Sequence, residues 1–321
     1  MSSSYDWDRS GPVDPELVLW EQALARYGHS LKPYRHRQRA WMPLAIVASV
    51  ILLLAAGGVW WDLNLRATKV TATRGQVSIN GQSAGGGARI RRGDKLTTGP
   101  RSRATVRFGK LGFLELFENS SLVLVAAAGN KTRVHLERGR LQAAIYGEPY
   151  AFTVETPVAL ADDMGCGYEI STDTAGHGFL RVTEGWVRLR ARGVESLVIE
   201  GTEAALLTPS GPGVPVMKGA SKDLRSLAGQ ATAGTAISDA ALDAALAQSR
   251  PSDAITLLNL LWRVPGHRAV RIFARLAELH PPPPEVSWGR FQKQDWTAVA
   301  DWWPYLGFKK SIKLPPVFYQ N

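Results

Sequence analysis

From Met42 to Trp61 the chain runs for twenty positions without a charged residue, "MPLAIVASVILLLAAGGVWW". At about 1.5 Å per residue, a helix of this length crosses the roughly 30 Å hydrocarbon core of a bilayer. Trp41 precedes the run and Trp60 and Trp61 close it, where indole rings favour the membrane interface. A core helix of a water-soluble domain does not go so long without a charge. A cleaved leader does not fit either, because the run starts late, is too long and is followed by no A-x-A-like site. The pattern predicts one transmembrane helix over residues 42–61.

The flanks predict its orientation. Lys32, Arg35, Arg37 and Arg39 precede the run with no acid among them, whereas Arg66 and Lys69 follow it together with Asp62. The basic excess places residues 1–41 in the cytoplasm and residues 62–321 outside it. Within the 1–41 tail, "MSSSYDWDRSG" has the composition of a disordered segment. "DPELVLWEQALARYGH" predicts a short amphipathic helix over 14–28, with Asp14 as cap, Pro15 in the first turn and Glu16 at the positive end. Leu17, Trp20, Leu24 and Tyr27 recur at helical spacing as one apolar face. A tail this short cannot bury that face by itself. The helix therefore lies on the inner leaflet or docks a cytoplasmic partner, and both readings stay open.

Residues 69–207 have the texture of an all-β domain: short alternating runs between glycine turns, as in a sandwich or a solenoid. "ATVRF" sets Ala104, Val106 and Phe108 against Thr105 and Arg107. "TRVHLE" and "RLQAAI" alternate on either side of a turn at Gly139, and Asn80–Gly81 marks a tight hairpin. "WVRLRAR" sets Val187, Leu189 and Ala191 against Arg188, Arg190 and Arg192. Residues 208–237, rich in Pro, Gly and Ser, read as a linker. Residues 238–306 read as a small helical unit, with Ser238 and Ser252 as caps, and residues 307–321 as a tail. Its apolar faces, among them Ala269, Phe273 and Leu276 and then Trp296, Val299 and Trp303, exceed what short helices hide alone, so it packs on the β domain or on a neighbour.

The β region resembles the FecR family, the extracytoplasmic domain of membrane regulators. The resemblance is carried in order by "GQVSING", "RRGDKLTTGPRSRATVRFG", "FLELFENSSLVL", "VHLERGRLQAAI", "FTVETPVALADDMGCGYEI" and "RVTEGWVRL". It departs where the family has Gly-Thr and this chain has Gly165–Cys166, with Tyr168 at the aromatic position. The stretch before the membrane run is also shorter than an anti-sigma domain, and no His-x-x-x-Cys-x-x-Cys zinc motif is present. The resemblance implies a protein of the bacterial inner membrane, single-pass, with its C-terminal domains periplasmic. It further implies a sensor and transducer of envelope signals, with a sigma factor or another cytoplasmic protein as partner of residues 14–28. The alternative is a membrane-tethered binding or scaffold module that acts wholly outside.

No phosphate loop, metal-ligand cluster or nucleophile triad appears, so neither an enzyme nor a cofactor is expected. Cys166 is the single cysteine and lacks the surroundings of a nucleophile. It reads as a small residue in a Thr-sized slot at the start of a strand. Asp162 and Asp163 read as loop acids, and "RGD" at 92–94 as a turn. The formal charge of +10 suits an anionic neighbour. Arg101, Arg103 and Arg107 on one strand, and Arg188, Arg190 and Arg192 on another, are candidates for an anionic wall or lipid component. The other reading, and the favoured one, is a solvated outer face. An envelope protein is the other partner expected outside, and nucleic acid is not expected there.

Overall fold

The computed structural model describes residues 14–28, 47–54, 68–128, 131–206, 211–293 and 295–309. It falls into two units, residues 1–58 and 59–321. The first unit holds α1 (Pro15–Ala25) and a helical stretch α2 over residues 47–54. Asp14 caps α1 by accepting from the Glu16 N–H at 3.0 Å. Among the described residues no helix is long and apolar enough to cross a membrane. Most of the predicted span 42–61, and the basic flank from Lys32 to Arg39, lie outside the described residues.

The second unit opens with seventeen strands in one continuous, curled sheet. They are β1 (Thr68–Arg74), β2 (Val77–Ile79), β3 (Gln82–Ser83), β4 (Arg89–Ile90), β5 (Lys95–Thr98), β6 (Arg103–Arg107), β7 (Gly112–Leu116) and β8 (Ser121–Ala128). There follow β9 (Lys131–Ile145), β10 (Phe152–Glu155), β11 (Leu160–Asp163), β12 (Gly167–Thr172), β13 (Gly178–Glu184), β14 (Trp186–Ala191), β15 (Val194–Ile199), β16 (Thr202–Ala205) and β17 (Val216–Met217). The pairings resolve into two halves. One runs β4-β1-β6-β7-β9-β12-β13-β16-β17. The other runs β3-β2-β5-β8-β9-β10-β11-β14-β15. Successive strands or hairpins thus alternate between the halves, which close over one apolar core. The unit is mainly β, as expected from sequence, and takes the form of one curled sheet, a half-barrel, where a sandwich or a solenoid was expected.

β9 belongs to both halves. Its first part pairs with β8 and β10, its second with β7 and β12. The two runs expected to turn back at Gly139 are therefore one strand that bends there. Gly139 has φ +100°, and any Cβ would collide with Ser120, so the backbone kinks without reversing. At Asn80–Gly81 the expected hairpin does form, with φ +52° and +81°. Alternation sends Ala104, Val106, Val187, Leu189 and Ala191 inward to a core shared with Leu96, Leu136, Phe152, Tyr168 and Ile170.

Among the described residues six α-helices follow: α3 (Lys222–Ala233), α4 (Asp239–Ala247), α5 (Ala254–Leu261), α6 (His267–Leu279), α7 (Trp288–Gln292) and α8 (Trp296–Trp302). The stretch 208–237 is not a plain linker, since it supplies β17 and the whole of α3. Leu224, Leu227, Ala228 and Ala231 bury one face of α3, and Ser221 caps it. Ser238 caps α4 as expected, but Ser252 lies inside a 3-10 turn, Pro251–Asp253, that precedes α5. The helices pack on the outer face of β14 and β15, where Trp186, Leu197 and Ile199 join a second core with Leu224, Leu257, Leu258, Trp302 and Trp303. Asn259 closes the free edge of β15. Its Oδ1 accepts from the Leu197 N–H at 3.0 Å and its Nδ2 donates to the Leu197 carbonyl at 3.1 Å, which blunts an edge otherwise open to pairing.

Candidate functional site

α1 buries none of its residues in its own unit. Leu17, Trp20 and Leu24 are more than half exposed, and so is Leu19; Val18 is exposed too. The apolar surface is thus wider than the single predicted face. Tyr27 lies past the C-cap at Arg26, in a turn, so the expected stripe loses its last member from the helix.

The first arginine set is not one strand row. Arg103 and Arg107 stand on the outer face of β6, but Arg101 occupies the preceding turn at φ +54°, where its N–H donates to Glu118 at 2.8 Å. Thr105, Glu115, Gln142, Glu169, Arg181 and Glu203 follow one another across β6, β7, β9, β12, β13 and β16. Arg103 pairs with Glu115 at 3.1 Å, Arg140 with Glu169 at 3.4 Å, and Arg181 with Glu203 at 2.5 Å. Arg103 and Arg140 also lie over the Phe117 ring. This face neutralises itself, as a solvated sheet surface does.

The second set lies on the other half of the sheet. Asp162, in β11 and not in a loop, is buried and accepts from Arg190 Nε at 2.7 Å, Thr153 Oγ1 at 3.1 Å and Arg188 Nη2 at 3.3 Å. Arg188 also reaches Glu195 at 3.7 Å and covers the Tyr150 ring at 4.9 Å. Arg192 sits beyond the strand in a turn at φ +51°. Arg188 and Arg190 are therefore engaged by carboxylates of the protein itself. Arg103 and Arg107 belong to the other half, so the two sets are not brought together.

The other strand acid, Asp163, is fully buried. It accepts from Cys166 Sγ at 2.6 Å and from the Gly165 N–H at 2.7 Å. Burial holds its carboxyl up at about 7, although both hydrogen bonds act to lower it. Burial first, and then the nearby carboxylate, pushes the thiol well above its ordinary range. His177, the histidine nearest in sequence, pairs instead with Asp173 at 3.0 Å. This is a structural thiol, matching its reading as a small buried residue. Among the described residues no group of three or more His, Cys, Asp or Glu is placed to hold a metal.

Sequence reading missed the Asp162 cluster, the Asp163–Cys166 pair and an open groove at the Thr68 end of the β unit. The adjacency of "DDMGC" carried the signal for the second; the others depend on register between distant strands.

The family model described as FecR protein matches residues 94–201. Two crystal structures of a candidate anti-sigma factor from Parabacteroides distasonis are similar at 13% identity, with a TM-score of 0.31. The alignment covers 35% of this chain and 53% of theirs, so the chain spans about half the length of these structures. No curated protein matches. Residues 94–201, within the β unit, are thus similar to the FecR family.

Proposed function

We propose that the chain is a regulator of FecR type, anchored in the bacterial inner membrane by residues 42–61. Its β and helical parts lie outside and its N-terminal segment inside. The observation that carries this reading is the FecR match over residues 94–201. Anchorage is supported by the uncharged run and by α2, whose Val47, Val50, Ile51, Leu52, Leu53 and Leu54 are all exposed. Aliphatic residues left exposed on a helix fit a lipid solvent. Transmission to a cytoplasmic partner, of sigma-factor type, is supported by the uncovered Leu17, Trp20 and Leu24.

The test is twofold. Reporter fusions at residue 40 are active only as cytoplasmic reporters, and fusions after Ser210 only as periplasmic ones; the reverse pattern defeats the topology. A photo-crosslinker in place of Trp20 gives one discrete cytoplasmic adduct, lost with Leu24→Glu. If deletion of residues 2–28 leaves the adduct pattern of the cell and every regulated transcript unchanged, the chain is an external scaffold instead.

A further inference from the structure

Where the chain joins the β unit at Thr68, the two halves of the sheet end around an open groove of about 700 Å³. Phe108, Leu111, Pro149 and Tyr150 give it an apolar lining, and Lys110 and Lys131 stand beside them, with Glu148 the one carboxylate among the lining residues. A tight turn raises Lys110: the Phe108 N–H donates to the Gly112 carbonyl and the Leu111 N–H to the Phe108 carbonyl, both at 2.9 Å. Tyr146, whose N–H donates to the Leu111 carbonyl at 2.8 Å, is 73% exposed next to that turn. Lys69 and Arg107, both exposed, face each other directly across β1 and β6.

The cations here differ from those along the sheet faces. Lys95, Arg103, Arg133, Arg140 and Arg181 each have a carboxylate partner. Lys69, Arg107, Lys110 and Lys131 have none among the described residues, and like charges placed opposite one another in a sheet are unfavourable. An external anion relieves that repulsion. Cations beside an exposed tyrosine and an apolar cleft form the combination that suits the boundary between phospholipid headgroups and acyl chains.

We propose that this end of the β unit is a membrane-contacting face that takes anionic phospholipid. The phosphate lies between Lys110 and Lys131, and the glycerol region lies over Phe108, Leu111 and Pro149. The inference rests on the anchorage proposed above, which holds the chain at a bilayer. An acidic protein is the less favoured occupant, because the apolar residues beside Lys110 and Lys131 suit glycerol and acyl groups better than a charged protein surface.

The experiment uses the full chain in lipid nanodiscs of phosphatidylcholine, with or without a quarter phosphatidylglycerol, and reads amide hydrogen exchange over residues 108–111 and 146–151. Exchange slows by about fivefold or more in the anionic discs, the partitioning expected per surface cation. Lys110→Glu/Lys131→Glu removes the difference, whereas Arg101→Glu/Arg138→Glu at the far end keeps it. Equal exchange in both disc types, or a difference that survives the Lys110/Lys131 reversal, overturns the inference. So does protection that is absent from both discs until an acidic protein is added. A chain that does not co-migrate with discs of either kind defeats the anchorage itself, a separate and separately visible failure.

Discussion

The Cys166 thiol donates to the buried Asp163 carboxyl at 2.6 Å, beside the Gly165 N–H that donates to the other oxygen at 2.7 Å. The FecR-type Thr at this position would offer a hydroxyl donor of similar size in the same place. Cys166→Thr therefore leaves stability within about 1 kcal/mol of wild type, as volume-conserving changes do. Cys166→Val keeps the volume, removes the donor and costs about 1–3 kcal/mol, the penalty for a polar group left unsatisfied. Urea midpoints of the two variants decide the matter. In the native state the thiol reacts slowly with a bulky maleimide, because it is 3% exposed and its proton is held tightly.

Asp163 also makes stability depend on pH. Its folded carboxyl titrates at about 7 against an ordinary 3.8, so the unfolded chain releases this proton first. The contribution is fully present below pH 3.8, declines as pH rises from there, and is lost as pH passes through about 7. Asp163→Asn removes this component of the slope. An unchanged slope between those values in the Asn variant would show that the buried carboxyl is not its source.

Asp162 holds two guanidinium groups, so its removal leaves both without their carboxylate. Asp162→Ala costs about 2–4 kcal/mol, the lower part of the range for a broken buried pair because Arg190 is partly screened by solvent. Adding Arg188→Leu to Asp162→Leu recovers part of the loss. A thermal melt of the single and double variants measures it.

Asn259→Ala frees the edge of β15. The cost is about 1–3 kcal/mol for the unpaired Leu197 groups, and hydrogen exchange at Leu197 rises more than at Leu189, which lies within the sheet. Equal changes at the two amides would mean that the helical unit protects the edge without Asn259.

Gly139→Ala destabilises the β unit by at least about 1–3 kcal/mol, the cost of an L residue held at a positive φ, with the collision against Ser120 added to it. Calorimetry of this variant and of Gly193→Ala, where φ is also positive but space is open, separates collision from backbone strain.

Periodicity of two carried much of the fold into the sequence. Ala104, Val106 and Leu189 alternate with polar neighbours and lie inside, and Asn80–Gly81 turns because both residues tolerate a positive φ. The bend in β9 was not legible, since a Gly between two alternating runs serves a hairpin and a kink equally well. α3 was hidden by "TPSGPGVPV" before it, although Leu224, Leu227, Ala228 and Ala231 keep helical spacing. The arginine rows misled for a different reason. Alternation predicts which way a side chain leaves its strand, but not that Asp162 stands on the neighbouring strand, 26 and 28 residues from the guanidiniums that bond to it.

β1 lies between β4 and β6 at its first two residues, pairs with β6 as far as Arg74, and begins at Thr68, where the preceding chain attaches. Hydrogen bonds in an antiparallel ladder run perpendicular to the strands. A pull on Thr68 along β1 therefore loads the rungs from Lys69 to Arg74 together, in shear, and does not peel them one at a time. The attachment point resists tension as a lap joint does, so force arriving from the N-terminal side passes into the body of the sheet before it can unravel the strand that receives it.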